Sequence, residues 1–257
     1  MLIDLNKLIK KYKLKIIGIS HFGAHLGQEV SIYNELNINN VHLFEPQKKI
    51  FETLKTNLGT KPNIKFYNYG LGSENKIVQL YLDESDGQSS SILEPLMHLE
   101  MNPNVSFQGK EEIEIKRYDD LLIDNVNFLN IDIQGYELEA LKGAYKILHN
   151  IDYIYLEVNR DYVYKDCSLV KDIDDFLKQF NFYRFETKWW KGFYIWGDAF
   201  YINLNRNKVN SLNYLFSKFR NFIQRFSLYF SFMKFYELVI RKTIYRVKQK
   251  IKKTILK

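Results

Sequence analysis

Cysteine is nearly absent from this chain of 257 residues: Cys167 is the only one. A single thiol cannot close an internal disulfide, so packing has to hold the fold, as suits a reducing compartment. Proline occurs four times, never after Pro103, and neither glycine nor proline follows Gly197. The remainder of the chain beyond that glycine is free to run as unbroken helix. Long apolar runs are missing too. The longest stretch without Asp, Glu, Lys or Arg is residues 16–28, thirteen residues, whereas a bilayer span takes about 20, so no transmembrane helix is expected. The first residues set Asp4 among lysines and offer no apolar segment ending in a small-residue cleavage site, so no secretory signal is read. Internal repeats are lacking, and the only biased tract is the polar DESDGQSSS at 83–91.

What is present is a globular composition. Hydrophobic residues make up 46% and charged residues 26%, too apolar for a disordered chain. The net charge of +7 is unevenly placed: residues 207–257 hold 13 Lys/Arg and one acid, Glu237, while residues 1–206 hold 24 basic and 29 acidic residues. Attraction to phosphate or to an anionic surface would therefore come from the tail, and the body gives no reason to invoke nucleic acid. Within the tail, Leu212, Leu215, Phe219, Phe222, Phe226, Tyr229 and Met233 recur at three- and four-residue spacing, continued by Tyr236, Ile240, Ile244, Val247, Ile251 and Ile255. That is the pattern of one or two amphipathic helices. We divide the chain into a body, 1–206, and a basic amphipathic helical extension, 207–257.

The body alternates strand and helix signals. KLKIIGIS (13–20) and VHLFEP (41–46) read as short buried strands, with helical spacing over 27–37 between them. This βαβ unit is right-handed with parallel strands by the connection rule. A helix follows over 48–59, ending in glycine, and strand three over 63–70. KIVQLYL (76–82) and EIEIK (112–116) alternate as half-exposed strands around a long loop. VNFLNID (126–132), a helix over 136–148, IDYIYLEV (151–158), a helix over 169–180, and strands at 182–187 and 199–204 complete the pattern. The expected class is α/β, a doubly wound sheet.

In such a sheet a ligand binds beyond the carboxyl ends of the strands, where strand order reverses. Strand one runs into His21-Phe22-Gly23-Ala24-His25-Leu26-Gly27. Gly23 permits close backbone approach, and Gly27 is expected to open a helix whose free N–H groups favour a carboxylate-bearing ligand. Strand two ends in Glu45, about twenty residues on, where a carboxylate accepts hydrogen bonds from both hydroxyls of a ribose. A dinucleotide fold requires G-x-G-x-x-G, and here His25 stands where its middle glycine would be. The sequence therefore leans to S-adenosylmethionine, a nucleoside cofactor without phosphate, over a nicotinamide dinucleotide. Strand four ends in Asp132, an acid expected to be buried and costly without a partner, hence a site candidate. Glu157, near the end of strand five, points to the same crevice. Asp132, Glu157 and Asp198 are also hard-oxygen donors, but no spacing motif requires a metal. His42, His98, His149 and Cys167 show no ligand or nucleophile pattern.

At these residues the chain resembles the FkbM-type methyltransferases, a branch of the class I S-adenosylmethionine-dependent fold. The most specific segment is FLNIDIQGYELEALKGA (128–144), supported in order by FGAHLGQE (22–29), FEPQKKIFETLKTNL (44–58), YGLGSENKIVQLYL (69–82), Asp86 to Ser90, EIEIKRYDDLL (112–122) and WGDAFYI (196–202). The resemblance implies a Rossmann-like sheet and methyl transfer from S-adenosylmethionine to an oxygen, commonly of a sugar or polyketide. It implies that Gly23, Ala24 and Gly27 line the methionine end of the cofactor. Glu45 would hold the ribose, Leu71 would lie near the adenine, and Asp132 and Gln134 would face the reacting centre. Position 21 departs from it: many class I enzymes carry an acid there for the methionine amino group, and this chain carries His21, whose neutral ring can accept the same bond.

Methyl transfer requires alignment of acceptor oxygen, methyl carbon and sulfur, and removal of one proton. Asp132 is the first candidate for the base, with His25 and Asp198 behind it. Trp189, Trp190 and Trp196 precede Asp198 and read either as core or as a wall for sugar rings. The basic extension is expected to lie on an anionic membrane surface, which would make the protein cytoplasmic and peripheral on the inner face; packing on a partner or on the body, or attraction to RNA, are the alternatives. A scaffold that binds the cofactor without catalysis, docking through its tail, is the competing function. The sequence does not name the acceptor or the oligomeric state.

Overall fold

The structure is a computed structural model and describes residues 1–85, 87–96, 106–190 and 195–222. Residues 1–209 form one compact unit. Its strands are β1 (Ile19–Phe22), β2 (Val41–Phe44), β3 (Ile64–Tyr67), β4 (Gly70–Leu71), β5 (Lys76–Asp83), β6 (Phe107–Lys116), β7 (Phe128–Ile131), β8 (Tyr153–Asn159), β9 (Phe182–Trp189) and β10 (Trp196–Asn203). Its helices are α1 (Leu5–Tyr12), α2 (Val30–Glu35), α3 (Lys48–Leu58), α4 (Glu137–Gly143) and α5 (Val170–Lys178).

Seven strands make one sheet in the order β3-β2-β1-β7-β8-β10-β9. The pairs β2–β3, β1–β2, β1–β7 and β7–β8 are parallel, and β10 runs antiparallel to both β8 and β9. This is the doubly wound sheet expected, with an antiparallel pair closing one edge. All four residues of β1, β2 and β7 are buried, because a parallel strand is covered on both faces and so reads as an apolar run without alternation. Phe22, Phe44, Leu129, Ile131, Leu156, Ala199 and Tyr201 meet in the main core. The half-exposed strands β5 and β6 join β4 in a separate three-stranded sheet, order β4-β6-β5, closed by Leu80, Ile113 and Ile115.

Several elements differ from expectation: strand three, expected over 63–70, ends at Tyr67, and Gly70 opens β4 in the separate sheet. The strand expected over 13–20 begins only at Ile19, because the Asn127 side chain takes the earlier backbone: its Nδ2 donates to the Lys15 carbonyl at 2.8 Å and its Oδ1 accepts from the Ile17 N–H at 2.9 Å. The helix expected over 27–37 is confined to Val30–Glu35. His25 (φ 47°) and Gly27 (φ 79°) both take left-handed conformations, so the chain turns before it can wind. Gly27 thus shapes a turn and opens no helix. Helix α1, capped by Asp4 accepting from the Lys7 N–H at 3.2 Å, was not legible in the pattern.

A second unit comprises residues 210–257. Its described part is helical over 211–222 and exposes Leu212, Leu215, Phe216, Phe219 and Phe222. The expected amphipathic positions from Phe226 onward lie outside the described residues. No helix among the described residues is long and apolar enough to cross a membrane.

Candidate active site

Sheet order reverses between β1 and β7, since β2 and β3 lie to one side of β1 while β7 and β8 lie to the other. A cleft of about 660 Å³ opens at the carboxyl ends of these strands. Because β10 is antiparallel, its first residues, Trp196 to Asp198, reach the same edge as the last residues of β8. A narrower apolar recess, about 60 Å³, continues beside β2. Gly23, His25, Gln88, Asp132 and Gln134 line both, so cleft and recess are two halves of one site.

Gly23 is the hinge of that site. With φ at 79°, it brings β1 so close to β7 that a Cβ would stand 1.9 Å from the Asp132 carbonyl oxygen; only glycine fits. Ala24 does not line the cleft as expected. It is fully buried, and its N–H, like that of Gly23, donates to the Phe44 carbonyl at 2.9 Å. Gly27 is likewise outside the lining and packs under Leu54 and Leu58 of α3. Both residues shape the turn that other residues use.

Glu45 faces the recess from the end of β2. Its Oε2 accepts from the His25 N–H at 3.0 Å and its Oε1 from the Gln47 N–H at 2.9 Å. Each oxygen keeps a further lone pair, so a vicinal diol can still bind. Burial raises its pKa to about 7 against the pull of those two N–H groups. Leu71, Leu80, Ile113 and Phe44 wall the recess with apolar surface. The small sheet thus has a use that its alternating pattern did not disclose: Leu80 and Ile113 come from β5 and β6.

Asp132 stands just beyond β7 and, contrary to the buried placement expected, is open to the cleft. Its Oδ1 accepts from Gln134 Nε2 at 2.7 Å, and the same amide donates to Glu157 Oε2 at 3.4 Å. Gln134 is held in turn by Tyr164, whose hydroxyl donates to its Oε1 at 2.8 Å. Removal from bulk water, then the charge of Asp198, lift the Asp132 pKa to about 6. Glu157 is pushed well above the ordinary carboxylate range by burial and by Asp132. Asp198 lines the same cleft but is already engaged, accepting from the Tyr155 hydroxyl and the Leu2 N–H. His25 lines it as well and shares its Nδ1 with Gln28 Nε2 at 2.9 Å. Asp132, His25 and Asp198, the three candidates for the base, therefore do converge, and Asp132 is the most accessible of the two acids.

His21 is buried beside Tyr33. Asn130 Nδ2 donates to the Tyr33 hydroxyl at 2.8 Å, and that hydroxyl shares a hydrogen bond with His21 Nδ1 at 3.3 Å. Burial depresses the imidazole pKa to about 4, so the ring is neutral; with the phenol donating to Nδ1, its Nε2–H is a donor that suits a carboxylate. The ammonium acceptor at this end of the cleft is Glu29, a residue the sequence reading missed. Its Oε1 accepts from the Met1 ammonium at 3.3 Å. Burial opposes its charge, but that ammonium and a backbone hydrogen bond hold its pKa below the ordinary value.

A family model described as the methyltransferase FkbM domain matches residues 21–184, from the end of β1 into β9. The chain belongs to the FkbM methyltransferase family. Its FkbM domain is a methyltransferase domain with the doubly wound class I sheet. The 2-O-methyltransferase NoeI of Sinorhizobium fredii (strain NBRC 101917 / NGR234) is 24% identical over 147 residues, 53% of this chain and 60% of that protein. Among solved structures, methyltransferase FkbM from Methylobacillus flagellatus KT shares 18% identity with a TM-score of 0.48, covering 72% of this chain and 43% of that one. Magnesium protoporphyrin IX methyltransferase (ChlM) from Synechocystis PCC 6803, solved with bound SAM, shares 11% with a TM-score of 0.42, covering 73% and 70%. The residues of the FkbM site fit the cofactor: an acid with spare lone pairs stands at an apolar recess, and a glycine hinge keeps the passage to the wider cleft clear of any Cβ.

Proposed function

We propose that the domain transfers a methyl group from S-adenosylmethionine to a hydroxyl oxygen of a sugar or glycan. The observation that carries this reading is the continuity of recess and cleft, with Glu45 at one end and Asp132 between them. Glu45 would hold the ribose diol and Leu71 would border the adenine. At the methionine end His21 would meet the carboxylate and Glu29 would receive the ammonium. The cofactor, when bound, supplies a methyl group on a sulfonium, whose departure needs no acid catalyst.

The remaining work falls to the chain. Asp132 is the general base: near neutral pH a carboxyl with a pKa of about 6 is mostly ionised, and it stands where an acceptor hydroxyl can reach it. Gln134, fixed by Tyr164, holds the Asp132 carboxylate in orientation. Asp198, occupied by Tyr155 and Leu2, serves as a charged wall. The 2-O-methyltransferase activity named for the Sinorhizobium relative supports a hydroxyl acceptor. The basic extension from residue 207 brings the domain, 1–206, to an anionic membrane surface from the cytoplasmic side, an assignment supported by its 13 Lys/Arg against one acid and by the apolar side chains exposed on the helix over 211–222.

The test is incubation with S-adenosylmethionine labelled as CD₃ and a mixture of oligosaccharides, read by mass spectrometry. One CD₃ ether per product chain is expected, absent with Asp132→Asn. Label found only on nitrogen or as a carboxyl ester contradicts the reading.

A further inference from the structure

The larger half of the cleft contains more than the methyl-transfer reading uses. Glu29, Asp132, Glu157 and Asp198 all line it, and among the described residues no lysine or arginine side chain does. His21, the nearest candidate cation, is neutral. An amine brought into the cleft would face Asp132 and Asp198 with no like charge from a lysine or arginine among the described residues. At the mouth, Trp190 and Trp196 stack with ring centroids 5.6 Å apart and planes 15° apart. Both line the cleft and Trp190 remains 38% exposed. Trp196 rests on the core cluster of Val163, Tyr164 and Cys167 and carries the outer indole, Trp190, on its face. Trp189 alone points away, with the Arg160 guanidinium 3.8 Å over its ring.

An exposed indole backed by a second, half-buried one presents a flat apolar face to the C–H face of a sugar ring, while carboxylates around it accept hydrogen bonds from the ring hydroxyls. The ionised carboxylates among them, Asp132 and Asp198, repel any phosphate, sulfate or uronate brought between them, and a protonated Glu157 still offers hydrogen bonds to a neutral ring. We propose that the acceptor half of this cleft takes a sugar ring without negative charge, neutral or amine-bearing, seated on the Trp190–Trp196 pair, and rejects anionic glycans. The proposal rests on the methyltransferase reading of the same cleft and names its substrate class.

The experiment is a glycan array carrying neutral, amine-bearing, uronate, sialylated and sulfated oligosaccharides, probed with the labelled full chain in saturating S-adenosylhomocysteine. Binding confined to neutral and amine-bearing glycans is expected, with their sulfated or uronate counterparts at least tenfold weaker. Trp190→Ala is expected to lower that binding at least tenfold and Trp190→Phe to restore most of it, both variants keeping wild-type affinity for S-adenosylhomocysteine. Preferential binding of anionic glycans, binding of none, or indifference to Trp190→Ala overturns the proposal. Affinity for S-adenosylhomocysteine, measured on the same samples, separates the two levels: if it is retained, only the acceptor class fails, and if it is absent, the methyltransferase reading fails.

Discussion

Asp132 and Glu45 are two raised carboxyls with separate tasks, and pH separates them. If Asp132 takes the acceptor proton, kcat under saturating cofactor falls as pH drops through about 6, because the carboxyl is then already protonated and no longer a base. If Glu45 must be ionised to accept two ribose hydroxyls, kcat/KM for the cofactor falls earlier, as pH drops through about 7. Stopped assays between pH 5 and 9 check both limbs. Asp132→Asn should cost about 10²- to 10⁴-fold in kcat, the usual range for a general base, while leaving cofactor affinity within a few fold. These two acids were legible in the sequence because each follows an apolar run and so had to sit at a strand end. Glu29 was not legible: it lies in a stretch of helical spacing, and only the left-handed turns at His25 and Gly27 bring it round to the cleft. The direction of the His21 hydrogen bond was hidden too, since it depends on Tyr33 and Asn130, which are distant in sequence.

At the scale of the element, the site exists because β1 and β7 approach closely behind Gly23. Gly23→Ala would add a Cβ 1.9 Å from the Asp132 carbonyl at a φ of 79°, so we expect a loss of about 2–5 kcal/mol from strain and overpacking together. Gly59→Ala, also at positive φ (63°) but with no atom within 4 Å of its new Cβ, should cost less, about 1–3 kcal/mol from backbone strain alone. Thermal unfolding of the two variants measures the difference, and equal costs would show that the close approach carries no constraint. The parallel strands were read correctly because burial on both faces leaves a continuous apolar run. Their limits were not, since the Asn127 side chain substitutes for strand pairing at Lys15 and Ile17, and no local pattern announces that. The separate sheet of β4, β5 and β6 was seen only as alternating strands. Alternation reports one covered face, not what covers it.

The whole molecule divides its charge between an acidic body and a basic extension, and the two halves are assigned opposite partners. Full-length protein should sediment with vesicles containing phosphatidylserine and release as salt rises from about 0.05 to 0.5 M, because the screening length falls from about 14 Å to about 4 Å over that range. A 1–209 chain should stay in the supernatant, and equal sedimentation of both would remove the extension from the account. The division was readable from composition alone, whereas the acidic cleft was not, since its carboxylates come from separate segments: Glu29 before α2, Asp132 after β7, Glu157 in β8 and Asp198 in β10. The central claim is that this cleft and its recess hold S-adenosylmethionine through the acid at the end of β2. Calorimetric titration of S-adenosylmethionine into wild type and Glu45→Gln at pH 8 tests it most directly. One site per chain is predicted, weakened about tenfold to a hundredfold in the variant, as expected for loss of charge-assisted bonds. Absence of binding to the wild type, or unchanged affinity in Glu45→Gln, would contradict it.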